Sequence, residues 1–212
     1  MIDAQNFTNF YATDDEIQAM FLFAVSVAGK PSKITQFKVN LLVDRIGEWQ
    51  KEDHPDAQAL GPLEYLIWLE HEAFLELIQG VKLGKYQTWL KLWRFFNAQP
   101  NTISTFLRTA SISDLEKIPG VKFKTSRFFV LHSRMKAECV PLDTHILRFL
   151  RDRGVPSVPN VTPASKTIYD GLEKLAIEAL KTLGYSTLAK ADLETWKAYS
   201  NNFSEFFRGA QA

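Results

Sequence analysis

The stretch Ile118-Pro119-Gly120-Val121-Lys122-Phe123-Lys124-Thr125-Ser126, followed by Val140-Pro141-Leu142-Asp143-Thr144-His145, decides the fold of this chain. Proline and glycine at 119 and 120 predict a tight turn, because neither residue continues a helix well. A helix over Lys122 to Arg134 follows the turn, and Asp143 opens the next helix, which runs to Arg153. The segment therefore predicts two helices joined by a hairpin, with a third helix close behind.

The rest of the chain also has the periodicity of helices. Thr13-Asp14-Asp15-Glu16 and Ser113-Asp114-Leu115-Glu116 have the spacing of a capping box, which satisfies free N–H groups at a helix start. The second box predicts the start of the first hairpin helix. The last predicted helix runs from Leu188 to about Phe203, and no stretch alternates convincingly with a period of two. We expect an all-α fold.

Composition bounds what the hairpin can mean. The 212 residues are 46% hydrophobic, enough to bury a core as one unit or as two tightly packed helical lobes. The single cysteine, Cys139, excludes a disulfide framework and a cluster of four thiolates, and is expected to be buried and inert. The four histidines (His54, His71, His132 and His145) are scattered without paired spacing, so no metal site is expected.

Nothing in the sequence predicts a membrane segment. The most apolar run, Ala19 to Ala28, is far shorter than the ~20 residues that a bilayer helix needs. The start of the chain also lacks the charged and apolar regions of a signal peptide. We expect a soluble intracellular protein, cytoplasmic and associated with the nucleoid.

Positive charge is concentrated around the hairpin. The net charge of +1 is low for a DNA-binding protein, which neutralises phosphates with lysine and arginine. Between positions 117 and 136, however, six cations occur without an acidic residue: Lys117, Lys122, Lys124, Arg127, Arg134 and Lys136. Alone, such a run indicates a solvated basic face. Its coincidence with the hairpin favours phosphate binding.

The hairpin, the lysine beyond it and the aspartate before the next helix resemble the helix-hairpin-helix DNA glycosylases with a Gly/Pro-rich loop and a single aspartate. This superfamily includes endonuclease III and the 8-oxoguanine glycosylases. The resemblance covers about Ser113 to Gly154. It implies one unit, 1–212, with two helical lobes and an active-site cleft between them: a lobe of about 30–135 that includes the hairpin 113–134, and a second lobe from 1–29 plus 136–212.

The C-terminal region is also similar to one branch of that superfamily. Asp192-Leu193-Glu194-Thr195-Trp196 resembles the end of the compact archaeal-type 8-oxoguanine glycosylases, which have no iron–sulfur cluster. The four-cysteine tail of endonuclease III is absent from this chain. The resemblance therefore implies no cofactor and leaves the excised base open.

A hairpin of this type can bind a DNA backbone through the free N–H groups at the start of its second helix. The resemblance implies DNA contacts for Gly120, Val121, Lys122, Thr125 and Arg127. Gly120 matches the first family glycine, whereas Lys122 replaces the second. A lysine would be strained there if the position required a positive φ. A purely structural helix turn is the alternative.

Lys124 matches the nucleophile of the bifunctional members of the superfamily. In those enzymes this lysine attacks C1′ of the damaged nucleotide, displaces the base and forms a Schiff base that permits strand cleavage. Only a neutral amine can attack, and partial burial with nearby cations favours that form. The alternative is one more lysine that contacts phosphate.

Asp143 matches the aspartate of the family motif. Its expected role is to stabilise positive charge on the sugar and to orient or deprotonate the nucleophile. The alternative is an ordinary helix N-cap, and one carboxylate can serve in both ways.

The resemblance also implies that Lys30, Lys82 and Lys85 form the far wall of the base pocket or a wedge in the DNA.

The resemblance implies a bifunctional DNA glycosylase and abasic-site lyase. Its partner is double-stranded DNA with a damaged or modified base, and the protein is expected to be a monomer. Because a base inside a duplex cannot reach Lys124, the nucleotide must first leave the stack. Two alternatives stay open: a non-catalytic hairpin protein that binds DNA, and a viral enzyme that acts on a deliberately modified base.

Overall fold

Eleven α-helices and a short 3-10 helix at Pro55–Ala57 make up the secondary structure in the computed structural model, which describes residues 1–98 and 102–200. These residues contain no strand, which confirms the all-α class. The helices are α1 (Asp14–Val27), α2 (Ser32–Glu52), α3 (Pro62–Trp68), α4 (His71–Gly80), α5 (Tyr86–Asn97), α6 (Ile103–Thr109), α7 (Ile112–Leu115), α8 (Phe123–Ser133), α9 (Thr144–Asp152), α10 (Lys166–Lys181) and α11 (Leu188–Ser200).

Helix α1 begins where the first capping box predicts. The Thr13 hydroxyl accepts a hydrogen bond from the Glu16 N–H, and the Glu16 carboxylate accepts one from the Thr13 N–H at 2.8 Å. All residues from Ile17 to Ser26 are buried. A helix that is buried on all sides belongs to the interior of a domain, and α1 packs against α2, α3, α6 and α8.

The start of the first hairpin helix differs from the prediction. Its N-cap is Ser111 rather than Ser113, because Asp114 supplies the carboxylate three residues later that completes the box. Glu116, the expected partner of Ser113, binds Arg127 instead. The first hairpin helix, α7, is therefore a single turn.

The described part of the chain has two hydrophobic cores. The first contains buried side chains from α1 to α8, and the second contains those of α9, α10 and α11 with Val140 and Leu142. Residues 1–29 were expected in the second lobe. Instead the buried side chains of α1 and of the preceding segment share the first core, because α1 packs on α2 and α8.

The single cysteine has the predicted structural character. Cys139 is free and buried, and its thiol lies 3.7 Å from the carbonyl oxygen of Arg127. Burial raises the pKa of the Cys139 thiol to about 12, so the reactive thiolate is not formed near neutral pH. The expected burial of this thiol is confirmed.

The final helix, α11, is described from Leu188 to Ser200. Its predicted end near Phe203 lies outside the described residues. Across 1–98 and 102–200, no helix combines the length and the apolar character needed to cross a bilayer.

Candidate active site

The hairpin turn between α7 and α8 requires glycine at position 120. Gly120 has a φ of +88°, which glycine adopts without steric cost. An added Cβ atom would also lie 2.2 Å from Cγ2 of Thr88 in α5. Across the turn, the Val121 N–H donates to the Ile118 carbonyl oxygen at 3.0 Å. The expected DNA contact at Val121 is therefore wrong. Its side chain is buried, and its N–H is already hydrogen-bonded within the turn.

Lys122 occupies its position without backbone strain. Its φ of −124° is extended, so the position does not require a second glycine. Lys122 is exposed and forms the N-cap of α8, and within the described chain no side chain caps the first turn of this helix. The first N–H groups of α8 are therefore available to a ligand.

Lys124 and Asp143 line the same cavity. Lys124 lies in the first turn of α8 and Asp143 immediately before α9, and both are half-buried. The cavity has a volume of about 80 Å³. Both residues also line an open groove of about 990 Å³, together with Gly120 and Lys122. The hairpin, the lysine and the aspartate thus share one continuous surface.

The walls of this cavity come from three helices, α1, α8 and α11. Phe23 and Val27 of α1 and Phe128 of α8 form one side, and Leu193 and Trp196 of α11 form the other. These walls are apolar, and they hold only a few polar groups. An apolar pocket with a small number of convergent polar groups is typical of a ligand site.

Asp143 is both an N-cap and a cavity residue. Its Oδ1 accepts hydrogen bonds from the N–H groups of His145 and Ile146, each at 2.9 Å. Among the described residues, no group donates to its other oxygen, Oδ2. The alternative of a helix cap is therefore confirmed, and it does not exclude a second role, because the cap uses one oxygen only.

Helix α10 fixes the segment that carries Asp143. The Glu173 carboxylate accepts a hydrogen bond from the Val140 N–H at 3.0 Å. The Tyr169 hydroxyl accepts from the Leu142 N–H at 2.9 Å and donates to the Val140 carbonyl oxygen at 3.2 Å. Burial raises the pKa of Tyr169, so its hydroxyl keeps the proton that it donates.

Arg127 was expected to contact DNA. This expectation is wrong, because the side chain is buried. Its side chain is only 6% exposed and forms ion pairs with Glu116 at 2.6 Å, Glu173 at 2.7 Å and Asp170 at 3.4 Å. The guanidinium also lies 4.7 Å from the centre of the Tyr169 ring. Arg127 therefore joins the hairpin helix to α10 and has no free donor face for a phosphate.

We expect Arg127→Met to lower the free energy of unfolding by about 3–5 kcal/mol, because it leaves the Glu116 and Glu173 carboxylates without their cation. Urea denaturation followed by circular dichroism measures this change. Arg153→Met is the matched control, since Arg153 is exposed and the same substitution should change stability by only about 0.5 kcal/mol. A loss below about 1 kcal/mol in Arg127→Met would contradict the structural role.

The basic run around the hairpin does not form a single face. Lys117 pairs with Asp114 at 2.7 Å. Arg134 donates to the carbonyl oxygens of Leu107 and Ala110, at 3.0 and 2.7 Å, so it joins α8 to the end of α6. With Arg127 also internal, the cations of the run that line the groove are Lys122 and Lys124.

Two lysines join the turn after α1 to the turn before α5. The Lys30 ammonium donates to the Leu83 carbonyl oxygen, and the Lys85 ammonium donates to the Ala28 carbonyl oxygen. Lys30 lines the open groove beside the cavity. The two segments that were expected to form the far wall are therefore held together.

Lys82 and Lys85 lie outside the linings of the cavity and the groove, contrary to their expected place in the base pocket. Both adopt a positive φ, 53° and 54°, and both are exposed. The pKa of Lys85 is lowered, first by burial of its ammonium and then by the charge of Lys124.

The sequence analysis assigned no place in this cavity to His132, Asp192 and Trp196, although Asp192 and Trp196 belong to the C-terminal motif quoted there. His132 and Asp192 are buried and hydrogen-bonded to each other at 3.2 Å. Burial raises the pKa of Asp192, while the hydrogen bond and the charge of His132 lower it in part. The sequence contained one signal that the Asp192 carboxylate would be buried. Helical periodicity places Asp192 on the same face as Ala189 and Trp196.

No group of three or more histidine, cysteine or acidic side chains in residues 1–98 and 102–200 is arranged to hold a metal ion. Comparisons of the chain with protein-family models, with curated proteins and with solved structures find no match.

Proposed function

We propose that this protein is a DNA glycosylase with abasic-site lyase activity, which removes a damaged or modified base. The observation that carries the proposal is the common cavity of Lys124 and Asp143 beside an uncapped helix start. Phosphate binding alone would need neither residue. An amine and a carboxylate that face one apolar pocket suit covalent displacement of a base.

The hairpin would hold the DNA backbone next to the cavity. The free N–H groups at the start of α8 can donate to a phosphate oxygen, and the positive end of the helix favours an anion there. The exposed Lys122 ammonium adds a charge at the same place. Because such contacts are made to DNA phosphates and not to base edges, they position the strand without reading its sequence.

The flipped base would enter the apolar cavity and bring C1′ of its sugar to Lys124. The lone pair of the neutral Lys124 amine forms a bond to C1′, and the glycosidic bond breaks as the base leaves with its electron pair and takes up a proton. The C1′–O4′ bond then breaks, O4′ takes up a proton, and the nitrogen lone pair forms the C=N bond of the Schiff base. Loss of a 2′ proton then expels the 3′ phosphate by β-elimination.

The surroundings of Lys124 suit this task. Among the described residues, no hydrogen bond or ion pair holds its ammonium. Lys124 lies in the first turn of α8, beside the free N–H groups that would hold the phosphate. Asp143, whose Oδ2 is not used by the helix cap, can stabilise the positive charge that develops on the sugar or accept a proton from the amine.

A two-lobed glycosylase fold is part of the proposal. In this proposal the first hydrophobic core would form one lobe and the second core the other, and the cavity lined by Lys124 and Asp143 would be the cleft. In this arrangement the lobe with α8 supplies Lys124, and the lobe with α9 and α11 supplies Asp143 and Trp196. Closure on DNA would bring the two groups to the same sugar.

Borohydride trapping tests the proposal. The protein is incubated with a labelled duplex that contains one abasic site, sodium borohydride is added, and the products are separated by denaturing electrophoresis. A Schiff base is reduced to a stable amine, so the enzyme gives a covalent protein–DNA adduct. An intact duplex of the same sequence is the control and should give none.

Binding to the duplex without an adduct would overturn the proposal and favour a non-catalytic DNA-binding protein. If an adduct forms, a panel of duplexes with single damaged bases then identifies the excised base. Activity confined to bases that an organism makes deliberately, such as substituted pyrimidines of viral DNA, would favour the modified-base enzyme.

A further inference from the structure

A chain of three polar side chains runs from the N-terminal segment to the cavity wall. The Thr8 hydroxyl lies 2.7 Å from His132 Nδ1, and His132 Nε2 lies 3.2 Å from Asp192 Oδ2. His132 and Asp192 line the cavity, whereas Thr8 does not. The three residues lie in different parts of the sequence, so the fold brings them together.

This chain is buried but incomplete. His132 is 0% exposed and Asp192 is 4% exposed. The second carboxylate oxygen of Asp192, Oδ1, is buried and has no hydrogen-bond partner among the described residues. Buried polar atoms are nearly always paired, so an unpaired acceptor in the wall of a cavity indicates a missing donor. A ligand in the cavity can supply that donor.

Thr8 and the residues beside it control the orientation of His132. If the Thr8 hydroxyl donates to Nδ1, the ring proton is on Nε2 and is directed to Asp192. The Asn9 N–H donates to the His132 carbonyl oxygen at 2.9 Å. Phe7 stacks on the cavity residue Phe128, with ring centres 4.7 Å apart. The N-terminal segment therefore supports this wall of the cavity from behind.

We infer that Thr8 and His132 are positioning residues, which hold Asp192 so that its free oxygen accepts a hydrogen bond from an N–H edge of the flipped base. This inference rests on the proposed function and names the class of base: one that presents an N–H donor on the edge that enters the cavity. The sugar chemistry at Lys124 does not require this contact. Base removal and abasic-site trapping should therefore respond differently to its loss.

The test compares two reactions of the same full-length variants. One is single-turnover removal of a base from duplexes that each carry one 8-oxoguanine, uracil, hypoxanthine or 5-hydroxycytosine, using whichever base the wild-type protein removes fastest. The other is borohydride trapping on an abasic duplex. The ratio of the two rates isolates the base contact, because a general loss of folding or of DNA binding lowers both rates.

We expect Thr8→Val, which keeps the side-chain shape without the hydroxyl, to lower this ratio about 10- to 100-fold, as expected for a misplaced contact. Thr8→Ser keeps the hydroxyl and should restore the ratio to within about 3-fold of the wild type. Asp192→Asn should lower the ratio at least as much as Thr8→Val. If Thr8→Val does not fold, His132→Gln, which retains a donor for Asp192, and His132→Leu, which does not, provide the same comparison.

An unchanged ratio in Thr8→Val and in Asp192→Asn would overturn the inference. So would a wild-type protein that forms the abasic-site adduct but removes no base of the panel. Absence of the wild-type adduct is a separate result, since it contradicts the proposed function itself.

Discussion

We expect Lys124→Ala to abolish the borohydride-trapped adduct on abasic-site DNA. The substitution removes the amine that forms the Schiff base and leaves the helix start and the hairpin unchanged, since alanine favours a helix. Binding to the same duplex should persist, because the N–H groups of α8 and Lys122 remain. Denaturing electrophoresis measures the adduct, and fluorescence anisotropy measures binding.

Lys122→Ala is the matched control for this prediction. Lys122 is two residues away on the same hairpin and lines the groove but not the cavity. Its loss should weaken DNA binding. The slope of log affinity against log salt concentration should fall by about 1, the amount expected for one phosphate contact. At saturating protein it should still form the adduct. Adduct formation by Lys124→Ala at the wild-type rate would refute the assignment of the nucleophile.

The second large effect is expected at Asp143. Asp143→Asn should slow base removal by about 10²- to 10⁴-fold, the usual contribution of a positioned acid–base group. Asparagine is as good an N-cap as aspartate, so the hydrogen bonds to His145 and Ile146 can form again. The variant should therefore fold and bind DNA like the wild type. Single-turnover kinetics and thermal unfolding measure the two effects separately.

Asp143→Ala separates the catalytic role from the cap. It removes the charge and the cap together, so it should be as slow as Asp143→Asn and also lose about 0.5–2 kcal/mol of stability. If Asp143→Asn keeps the wild-type rate and only Asp143→Ala is impaired, the aspartate is a cap and nothing more.

Local signals in the sequence predicted most of the helices and the hairpin turn, although the start of the first hairpin helix was misplaced by two residues. The Thr13 box, the break at Gly120 and the cap at Asp143 depend on residues within one or two turns of each other, and all three occur in the structure. Lys124 and Asp143 could also be selected by their place relative to the hairpin. That they line one cavity could not be derived from spacing, because it depends on how α10 holds the segment from Val140.

Long-range partners explain what the sequence did not predict. Arg127 stands in a run of cations, yet its carboxylate partners Glu173 and Asp170 come from α10. Arg134 is likewise hydrogen-bonded to carbonyl oxygens of another helix end. A run of cationic residues therefore predicts an exposed basic surface only where no carboxylate or carbonyl oxygen from a distant part of the chain packs against it.

The polar wall of the cavity was missed for the same reason. Thr8, His132 and Asp192 are separated by most of the chain, and each is unremarkable among its sequence neighbours. Only the helical position of Asp192, on an apolar face, indicated that its carboxylate would be buried.

Peptide mapping of the reduced adduct is the most direct test of the central claim, that Lys124 is the nucleophile of this cavity. Wild-type protein is trapped on an abasic duplex, the DNA is digested to a single sugar remnant, and the attachment site is located by tandem mass spectrometry. The remnant should be on Lys124. A remnant on Lys30, Lys85 or Lys122, or on the amino group of Met1, would contradict the account.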